Sequence, residues 1–361
     1  MKAARRFIAH RGVHLHSTIA GENSLEAVRL AQRAGFACIE TDVRLSADGE
    51  YVIMHDASID RTATRWDGGE LREPVLVAET SLDRLRSEYR LRARDPECRT
   101  RIPTAEEYFR ACADAGLRPF IEIKPMDQPD DFYLGLLELA DRVLGRGGYV
   151  MTSNGNANRI IRSLGIDDVP MMDIRYQAPS LDDVAALGDV IVAVSATRYE
   201  CTEHLAHVAE ARRAGLATES HADDFATFAV ADEHGVDLIS TDVLAPDLRA
   251  GTDVVLAAGG DGEFAAFRHC GSIVDGMLLL DAGARVSLPA PPHLDFGGAF
   301  LEAELEGVCR VLLGPQRFRI DGDGMRRHRH QVMLFDAPAT LVIAAEEDCR
   351  IRDLRLTVAR Y

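Results

Sequence analysis

Ionisable side chains recur at the ends of apolar, strand-like segments in the N-terminal part of this chain. His10-Arg11-Gly12 follows one such segment, and Ile39-Glu40-Thr41-Asp42-Val43 carries two carboxylates on the next. Val52-Ile53-Met54-His55-Asp56 adds a second histidine, and Ile121-Glu122-Ile123-Lys124 adds a carboxylate beside an amine. Three carboxylates, two histidines, an arginine and a lysine make up most of a site for metal-assisted phosphoryl transfer.

The carboxylates are spaced so that they can converge. Glu40 and Asp42 lie two residues apart, so both point to one face of a strand, and Glu122 and Lys124 share a face in the same way. A buried carboxylate without a partner is very costly, so three that converge imply a cation between them. Ligation by oxygen alone favours Mg²⁺ or Ca²⁺ over zinc. We therefore predict one divalent cation, Mg²⁺ or Ca²⁺, bound by Glu40, Asp42 and Glu122.

The elements that must position these residues alternate as far as about residue 245. Short apolar segments are separated by amphipathic helical patterns, which is the order expected of an α/β chain that forms a (β/α)8 TIM barrel. The predicted strands are Phe7–His10, Cys38–Val43, Pro119–Lys124, Tyr149–Thr152, Val169–Ile174, Asp189–Val194, Leu216–Glu219 and Leu238–Asp242. The predicted helices are Ser24–Ala34, Thr104–Ala115, Asp130–Leu144, Thr202–Ala214 and Asp223–His234, with Thr104 and Glu107 as a capping box. Residues 1–250 are assigned to the barrel, whose function is expected at the C-terminal ends of the strands.

One apolar segment does not fit the alternation. Tyr51–Asp56 follows Val43 too closely for a parallel crossover, which needs about a dozen residues. With the turn signal Asp48-Gly49 between them, it is predicted to return as a hairpin on the second strand. An excursion at about residues 44–101, which contains the only tryptophan, Trp66, is then expected over the barrel mouth.

The pattern of alternating strands and helices ends at about Gly251. Short β-like segments broken by Gly, Pro and Asp at intervals of roughly ten residues are typical of a β-sandwich or jelly roll. Residues 262–361 are therefore predicted to form an accessory β-sandwich, joined to the barrel near Pro246–Gly262. Asp321-Gly322-Asp323-Gly324 is predicted to be a tight turn in it. A homo-oligomer formed through this domain is a further possibility that the sequence leaves open.

Composition narrows the class of partner. The chain of 361 residues has a formal net charge of −17, from 41 basic and 58 acidic residues, which disfavours nucleic acid and anionic membranes as partners. No apolar run is long enough for a membrane span, and the first residues show no secretory pattern, so a cytoplasmic location is predicted. The 7 cysteines form no CxxC pair and are expected to be buried reduced thiols.

Taken in order, these segments resemble the signature of the glycerophosphodiester phosphodiesterase family. The resemblance covers about residues 7–245, and so many ordered matches are specific although each alone is weak. The matching segments are His10-Arg11-Gly12, Glu22-Asn23-Ser24, Ile39-Glu40-Thr41-Asp42-Val43, Asp48-Gly49, Val52-Ile53-Met54-His55-Asp56, Asp60-Arg61-Thr62, Ile102-Pro103-Thr104-Ala105-Glu106-Glu107, Ile121-Glu122-Ile123-Lys124 and Gly235-Val236-Asp237-Leu238-Ile239-Ser240-Thr241-Asp242.

The resemblance implies an activity and roles for individual residues. It implies a metal-dependent hydrolase that converts glycerophosphodiesters into glycerol phosphate and an alcohol, with the metal on the three carboxylates already named. His10 and His55 would be the acid/base pair, in either order. Arg11 and Lys124 would take the phosphate oxygens, and Asn23 would orient the loop. In the family's usual route the glycerol 2-hydroxyl attacks phosphorus, and water then opens the cyclic phosphate.

The chain departs from the family pattern on the side of the leaving group. Gly21 replaces the family's proline before Glu22, which itself suits either a helix start or the site. Strand seven ends in Glu219-Ser220-His221 where the family usually shows a Trp-Thr-Val-Asn-like segment. Glu219 is therefore predicted to contact the substrate.

The far wall of the site is predicted to be polar, because Arg175 ends strand five and Arg198 and Tyr199 follow strand six. Such a wall favours a hydroxyl-rich leaving group over choline. Two alternatives stay open from the sequence. In the first, the same site hydrolyses a sugar phosphodiester or a lysophospholipid. In the second, the barrel is catalytically silent and serves for binding.

Overall fold

The computed structural model describes residues 7–358, except 16, 18, 94, 125–127, 154–155, 176–187, 189, 195–201, 224, 245, 247–252, 260–263, 265–267, 290–296, 314–315 and 335–339. The chain divides into two compact units, Met1–Asp247 and Leu248–Tyr361. Within the described ranges, no helix combines the length and the apolar character that crossing a membrane requires.

The first unit is built around a closed parallel barrel. Its strands, in chain order, are β1 (Phe7–Ala9), β2 (Cys38–Leu45), β3 (Tyr51–Ile53), β4 (Ala63–Arg65), β5 (Tyr89–Leu91), β6 (Arg118–Ile123), β7 (Val150–Ser153), β8 (Met171–Arg175), β9 (Val190–Val194), β10 (Ala217–His221) and β11 (Leu238–Thr241). Parallel pairing runs in the order β1-β11-β10-β9-β8-β7-β6-β2, and β2 pairs with β1 to close the ring. The predicted (β/α)8 TIM barrel is confirmed.

Alternate residues of the strands line the barrel interior. A layer of buried apolar side chains from six strands packs together there: Ile8, Cys38, Phe120, Val150, Met172 and Leu238. Because successive side chains alternate between faces, residues two and four positions beyond Cys38 also face inward, and so does the residue two beyond Phe120. Those residues are Glu40, Asp42 and Glu122. An apolar floor therefore lies beneath the carboxylates that were predicted to converge.

The helices begin and end where the sequence signals them. The α-helices described in this unit are α1 (Leu25–Arg33), α2 (Leu82–Ser87), α3 (Ala105–Ala115), α4 (Asp130–Leu144), α5 (Ala157–Ser163), α6 (Thr202–Arg213) and α7 (Phe225–Glu233), and Val77–Glu79 forms a 3-10 helix. Ser24 caps α1, and the capping box of Thr104 and Glu107 is present at α3. The helices predicted from periodicity are confirmed, whereas α2 and α5, each of seven residues or fewer, were not predicted.

The hairpin return and the excursion are also present. β3 pairs antiparallel with β2, in the register Val43 opposite Ile53. Beyond it, β4 and β5 form a small antiparallel sheet, which the sequence did not predict. The excursion has a buried apolar core of its own, centred on Ile59, Leu85 and Leu91. It is therefore a packed substructure and not an unstructured loop.

The elements that the structure describes in the second unit, apart from the helical residue Phe264, are β-strands. Its strands are β12 (Asp253–Gly259), β13 (Arg268–His269), β14 (Ser272–Val274), β15 (Met277–Leu280), β16 (Arg285–Pro289), β17 (Gly297–Leu313), β18 (Gln316–Leu334), β19 (Thr340–Ala345) and β20 (Cys349–Val358). All pairings are antiparallel, and β17 pairs with β18 on one side and with β20 and then β19 on the other. The predicted C-terminal β-domain is confirmed, in the form of an antiparallel half-barrel.

One detail of this unit differs from the prediction. Asp321–Gly324 was predicted to be a tight turn, but it lies inside the continuous strand β18. The register moves from Leu305 opposite Arg326 to Gly307 opposite Gly322, so the glycine-rich segment accommodates a bulge instead of reversing the chain. Long pairing with β17 on both sides of the bulge outweighs the local turn preference.

The thiols follow the prediction in part. Cys38, Cys112, Cys309 and Cys349 are buried and form no disulfide, and Cys98 is partly buried. Cys270 is also free but exposed, which contradicts the prediction for that residue. It lies directly after the two-residue strand β13, too short an element to cover its side chain.

Candidate active site

The loop after β1 has an unusual backbone. Arg11 and Asn23 both have positive φ, at 53° and 59°, a conformation that costs free energy for residues other than glycine. Gly12 between them has φ +78°, and a Cβ there would lie 2.6 Å from Cβ of Ala27. The backbone N–H of Asn23 donates to the carbonyl of Arg11 at 2.8 Å. The loop is therefore folded tightly against the start of α1, with both side chains fixed.

Those side chains are directed at the carboxylates of β2. Asn23 Nδ2 donates to Asp42 Oδ2 at 2.7 Å, and its Oδ1 accepts from the hydroxyl of Thr41 at 2.9 Å. The backbone N–H of Arg11 donates to Glu40 Oε2 at 3.1 Å. The guanidinium Nε of Arg11 lies 3.6 Å from Asp42 Oδ2. The predicted residues of β1 and β2 are thus brought together.

The structure also brings the three carboxylates together. Glu40, Asp42 and Glu122 are all buried and each offers an oxygen within 4.8 Å of the others. Lys124 Nζ lies 2.7 Å from Glu122 Oε1 and 3.1 Å from Asp42 Oδ1. Since β2 and β6 are neighbours with Asp42 opposite Glu122, this convergence follows from the strand register.

The cluster carries more negative charge than its surroundings satisfy. Glu40 Oε1 and Asp42 Oδ1 are buried and accept no hydrogen bond. Burial, together with the charges of Asp42 and Glu122, raises the pKa of Glu40 well above its ordinary value. Burial also disfavours the charge on Asp42, but Lys124 and Arg11 outweigh it and lower the pKa of that carboxyl. Buried carboxylate oxygens that face one another are the donor set of a divalent cation, and here Glu40 Oε1 has no hydrogen-bond partner while Asp42 Oδ1 is paired with Lys124. These residues therefore fit the cation that was predicted.

His10 lies beside this cluster and is held by the carboxylate of Asp242, which directly follows the neighbouring strand β11. Its Nδ1 lies 2.8 Å from Asp242 Oδ1, and its Nε2 lies 3.8 Å from Glu40 Oε2. Burial raises the pKa of Asp242, but the hydrogen bond and charge of His10 outweigh it, so the pKa lies far below its ordinary value. An ionised carboxylate can only accept, so Nδ1 carries the hydrogen and Nε2 is free to exchange a proton.

His55 is held in the same way by its neighbour. Its Nδ1 lies 2.6 Å from Asp56 Oδ1, and Arg44 donates two hydrogen bonds to its backbone carbonyl, at 2.9 and 2.6 Å. Burial lowers the pKa of His55 below its ordinary value, which favours the uncharged ring at neutral pH. Burial raises the pKa of Asp56, but hydrogen bonds from Arg61 and His55 outweigh it and lower the pKa to about 2.

Arg61 connects the two sides of the site. It donates from Nε to Asp56 Oδ2 at 2.6 Å and from both terminal nitrogens to Glu22, each at 2.7 Å. Glu22 in turn accepts from Arg11 at 3.4 Å. Burial raises the pKa of Glu22, but Arg61 and Arg11 outweigh it, and the pKa is lowered. Of the two interpretations of Glu22, the structure supports a place in the site.

Strand β10 contributes a buried carboxylate and an additional histidine. Glu219 Oε1 accepts from the backbone N–H of Ser240 at 3.2 Å, and burial raises the pKa of Glu219. The rings of His221 and His10 meet edge to face, with centroids 5.1 Å apart. Of the other residues predicted for the far wall, Arg198 and Tyr199 lie outside the described residues, as does the side chain of Arg175.

The sequence did not predict the partners of the two histidines. Asp242 is 232 residues from His10 along the chain, and only closure of the barrel between β1 and β11 makes them neighbours. One signal was available, because Asp242 directly follows β11 at the C-terminal end of a barrel strand. Asp56 and Arg61 lay within motifs, but nothing in their spacing indicated that they bind each other.

Comparison with known proteins agrees with this geometry. The sequence profile of the Glycerophosphoryl diester phosphodiesterase family matches residues 10–229, which include every residue of the carboxylate cluster and both histidines. The chain belongs to that family.

Curated members of the phosphodiesterase family share a limited segment with the chain. Glycerophosphodiester phosphodiesterase 1 of Bos taurus is 37% identical over 118 residues, which cover 32% of this chain and 33% of that protein. The glycerophosphodiester phosphodiesterase of Caldanaerobacter subterraneus subsp. tengcongensis is 33% identical over 118 residues, 32% of this chain and 44% of that protein. The shared segment thus spans about a third of the first of these relatives.

Solved structures of the phosphodiesterase family match over the barrel. A putative glycerophosphoryl diester phosphodiesterase from Silicibacter pomeroyi has a TM-score of 0.56 at 21% identity, covering 66% of this chain and 90% of that chain. An Oleispira antarctica phosphodiesterase in complex with the product sn-glycerol-3-phosphate also has a TM-score of 0.56, at 22% identity, covering 66% and 92%. These likenesses show a common fold.

Proposed function

We propose that this chain hydrolyses glycerophosphodiesters to glycerol phosphate and an alcohol, with a divalent cation at the carboxylate cluster and His10 and His55 as the proton-transfer pair. The observation that carries the proposal is the placement of both histidines. Each is fixed through Nδ1 by its own carboxylate. His10 Nε2 lies 3.8 Å from Glu40 Oε2, and the residue before His55, Met54, donates its backbone N–H to the carbonyl of Asp42 at 2.9 Å. Membership of the family supports the same reaction class.

The cation would be Mg²⁺ or Ca²⁺, held by the three carboxylates, and it would neutralise charge that develops on the phosphoryl oxygens. The chain's own contribution to phosphate binding is Arg11 and Lys124. Burial lowers the pKa of Lys124, but Asp42 and Glu122 outweigh it and raise the pKa, so the ammonium stays charged. Asn23 holds Asp42 and the loop that carries Arg11.

The two histidines then transfer the protons of an internal displacement at phosphorus. One takes the proton of the glycerol 2-hydroxyl as its oxygen bonds to phosphorus, and the other gives a proton to the alcohol oxygen as its bond to phosphorus breaks. Water opens the resulting cyclic phosphate with the roles reversed. Which histidine acts first as base is left open.

Hydrolysis of glycerophosphocholine tests the proposal. Turnover should be lost when divalent cations are chelated and restored when Mg²⁺ or Ca²⁺ is returned in excess of the chelator. A chain that binds glycerophosphodiesters without hydrolysing any of them would instead be a catalytically silent binding barrel, and the proposal would fail.

Polyol-type leaving groups are expected to be preferred over choline. Glu219, whose pKa is raised by burial, offers a polar group on the β10 wall with His221 on the same face, and Ala217–His221 contains no Phe, Tyr or Trp to serve as a platform for an ammonium. Buried polar groups left unpaired by a poor substrate can cost as much as about 10⁴-fold in discrimination. The measurement is kcat/KM for glycerophosphoglycerol and glycerophosphoinositol against glycerophosphocholine. A clear preference for the choline ester, or for a lysophospholipid, would overturn this interpretation of the wall and leave the catalytic assignment intact.

The second unit is expected to be an accessory domain. Its described residues include no group of three His, Cys, Asp or Glu side chains placed to bind a metal ion, whereas the barrel has two. A chain that ends near Ala250 should therefore keep turnover of small diesters within about a factor of two of the full chain, provided that circular dichroism shows it folded. Complete loss of turnover in a folded truncated chain would mean that the second unit contributes to the site. Self-assembly through this unit stays a prediction. It is tested by comparing the oligomeric state of the full chain with that of the chain that ends near Ala250.

A further inference from the structure

A second group of metal-ligating side chains lies beside the carboxylate cluster. It consists of His10, His221 and Asp242, whose donor atoms lie within 4.8 Å of one another, with Asp223 at its edge. The reaction proposed above uses His10 and the one oxygen of Asp242 that fixes its Nδ1. His221, Asp223 and the second oxygen of Asp242 have no part in it.

Three of these side chains lie within reach of one ion, and Asp223 adjoins them through His221. Asp242 lies between the two rings, with Oδ1 2.8 Å from Nδ1 of His10 and Oδ2 4.0 Å from Nε2 of His221. Asp223 Oδ2 lies 2.9 Å from the same nitrogen of His221. Backbone bonding fixes Asp223, because its Oδ1 accepts from the N–H of Asp242 at 2.8 Å. Two imidazole nitrogens and two carboxylates are thus held on the ends of β1, β10 and β11.

The group is open to solvent, unlike the carboxylate cluster. The side chains of His221 and Asp223 are 36% and 41% exposed, while that of Asp42 is fully buried. An ion can therefore reach this group directly.

The two groups differ in the metals that they suit. The carboxylate cluster offers oxygen alone, which suits Mg²⁺ and Ca²⁺. Two imidazoles with one or two carboxylates are a usual ligand set for Zn²⁺ in tetrahedral geometry, and imidazole also suits Cu²⁺ and Ni²⁺. Each histidine of the group already has a nitrogen directed at a carboxylate, so a cation needs to displace only the shared hydrogens.

We propose that His10, His221, Asp242 and Asp223 form a second, inhibitory site for a transition-metal ion of the Zn²⁺ type. Its inhibitory effect rests on the role proposed above for His10. A metal on Nδ1 displaces the hydrogen given to Asp242, which leaves to solvent, and the neutral ring then takes its one hydrogen from solvent at Nε2. The ring then cannot accept a proton at Nε2, and release of that hydrogen would leave an imidazolate. Occupation therefore blocks His10 whether it acts as base or as acid.

Zinc binding is measured first, without reference to activity. Zn²⁺ is titrated into the full chain by competition with a chromophoric chelator, with Mg²⁺ in excess to fill the carboxylate cluster. The wild type should bind a zinc ion that His221→Gln and Asp223→Asn each bind about 10–100-fold more weakly. His234→Gln is the matched control, since the ring of His234 bonds to the carbonyl of Val230 at 2.9 Å. Equal zinc affinity in the wild type and both site variants would overturn the site.

Inhibition is then measured on a glycerophosphodiester, each variant relative to its own zinc-free rate. The zinc concentration for half-inhibition should rise in His221→Gln by the same factor as the dissociation constant. Inhibition that is relieved only by more Mg²⁺ would place the zinc on Glu40, Asp42 and Glu122 and contradict the proposal. Zinc bound at the group without inhibition would overturn the inhibitory effect, together with the role of His10. A chain that hydrolyses no phosphodiester would remove the proposed function, while the binding measurement would still decide the site.

Discussion

Glu40→Gln is expected to lower cation-dependent turnover by about 10³-fold or more, because Lewis-acid stabilisation of phosphoryl transfer amounts to several kcal/mol. Asp42→Asn should have a comparable effect. Glu40→Gln also removes one of the charges that make the buried cluster unfavourable without a cation, since burial, Asp42 and Glu122 all raise the pKa of Glu40. In chelator, Glu40→Gln should therefore unfold at the same temperature as the wild type or at a higher one.

The matched measurement is thermal stability with and without Mg²⁺ or Ca²⁺. The Tm of the wild type should rise with cation concentration, and that of Glu40→Gln should rise much less, because only the wild type keeps the full ligand set. Glu50→Gln, at an exposed carboxylate in the hairpin between β2 and β3, should match the wild type in both activity and cation response. Full activity in chelator, or a Glu40→Gln variant with unchanged cation response, would contradict the assignment of the cluster.

His10→Ala and His55→Ala are each expected to lower kcat by about 10²–10⁴-fold, the usual contribution of a general acid or base. The double variant should lose much less than the product of the two factors, since the pair acts in one step. His234→Ala is the control on a remote surface. If either single variant keeps a kcat near the wild type, that histidine has no proton-transfer role.

The pH profile of kcat/KM in the wild type should be bell-shaped. One histidine must be uncharged and the other charged, so activity falls at both extremes. Burial lowers the pKa of His55, so it stays uncharged until the pH falls below the ordinary histidine value of about 6.5. If His55 is the base, the acid limb therefore lies below that pH, and it should disappear in His55→Ala. An acid limb that survives in His55→Ala belongs to His10 and would settle the order of the pair.

The barrel and the carboxylate cluster could be predicted because both depend on local periodicity. Alternation along β2 fixes the face of Glu40 and Asp42, and the position of strand ends in a barrel fixes the rim. The capping box of Thr104 and Glu107 is equally local, and it is present. Where the chemistry of a residue follows from neighbours two to four positions away, the sequence was sufficient.

Contacts across the barrel could not be predicted in this way. Asp242 meets His10 only because β11 pairs with β1, and the bond between Arg61 and Glu22 joins the excursion to the first loop. The bulge at Asp321–Gly324 has the same origin, because pairing with a long neighbouring strand overrode a local turn signal. Gly21 is a further case. A Cβ there would lie 2.5 Å from the carbonyl oxygen of Arg92, a residue of the excursion distant in sequence.

The position of Arg61 makes the two sides of the site thermodynamically dependent on each other. One guanidinium, half exposed to solvent, satisfies Asp56 behind His55 and Glu22 behind Arg11. Its withdrawal would remove, in a single event, the guanidinium that both carboxylates share. Because Arg61 belongs to the excursion, the order of that segment affects the partner of His55 and the partner of Arg11 together.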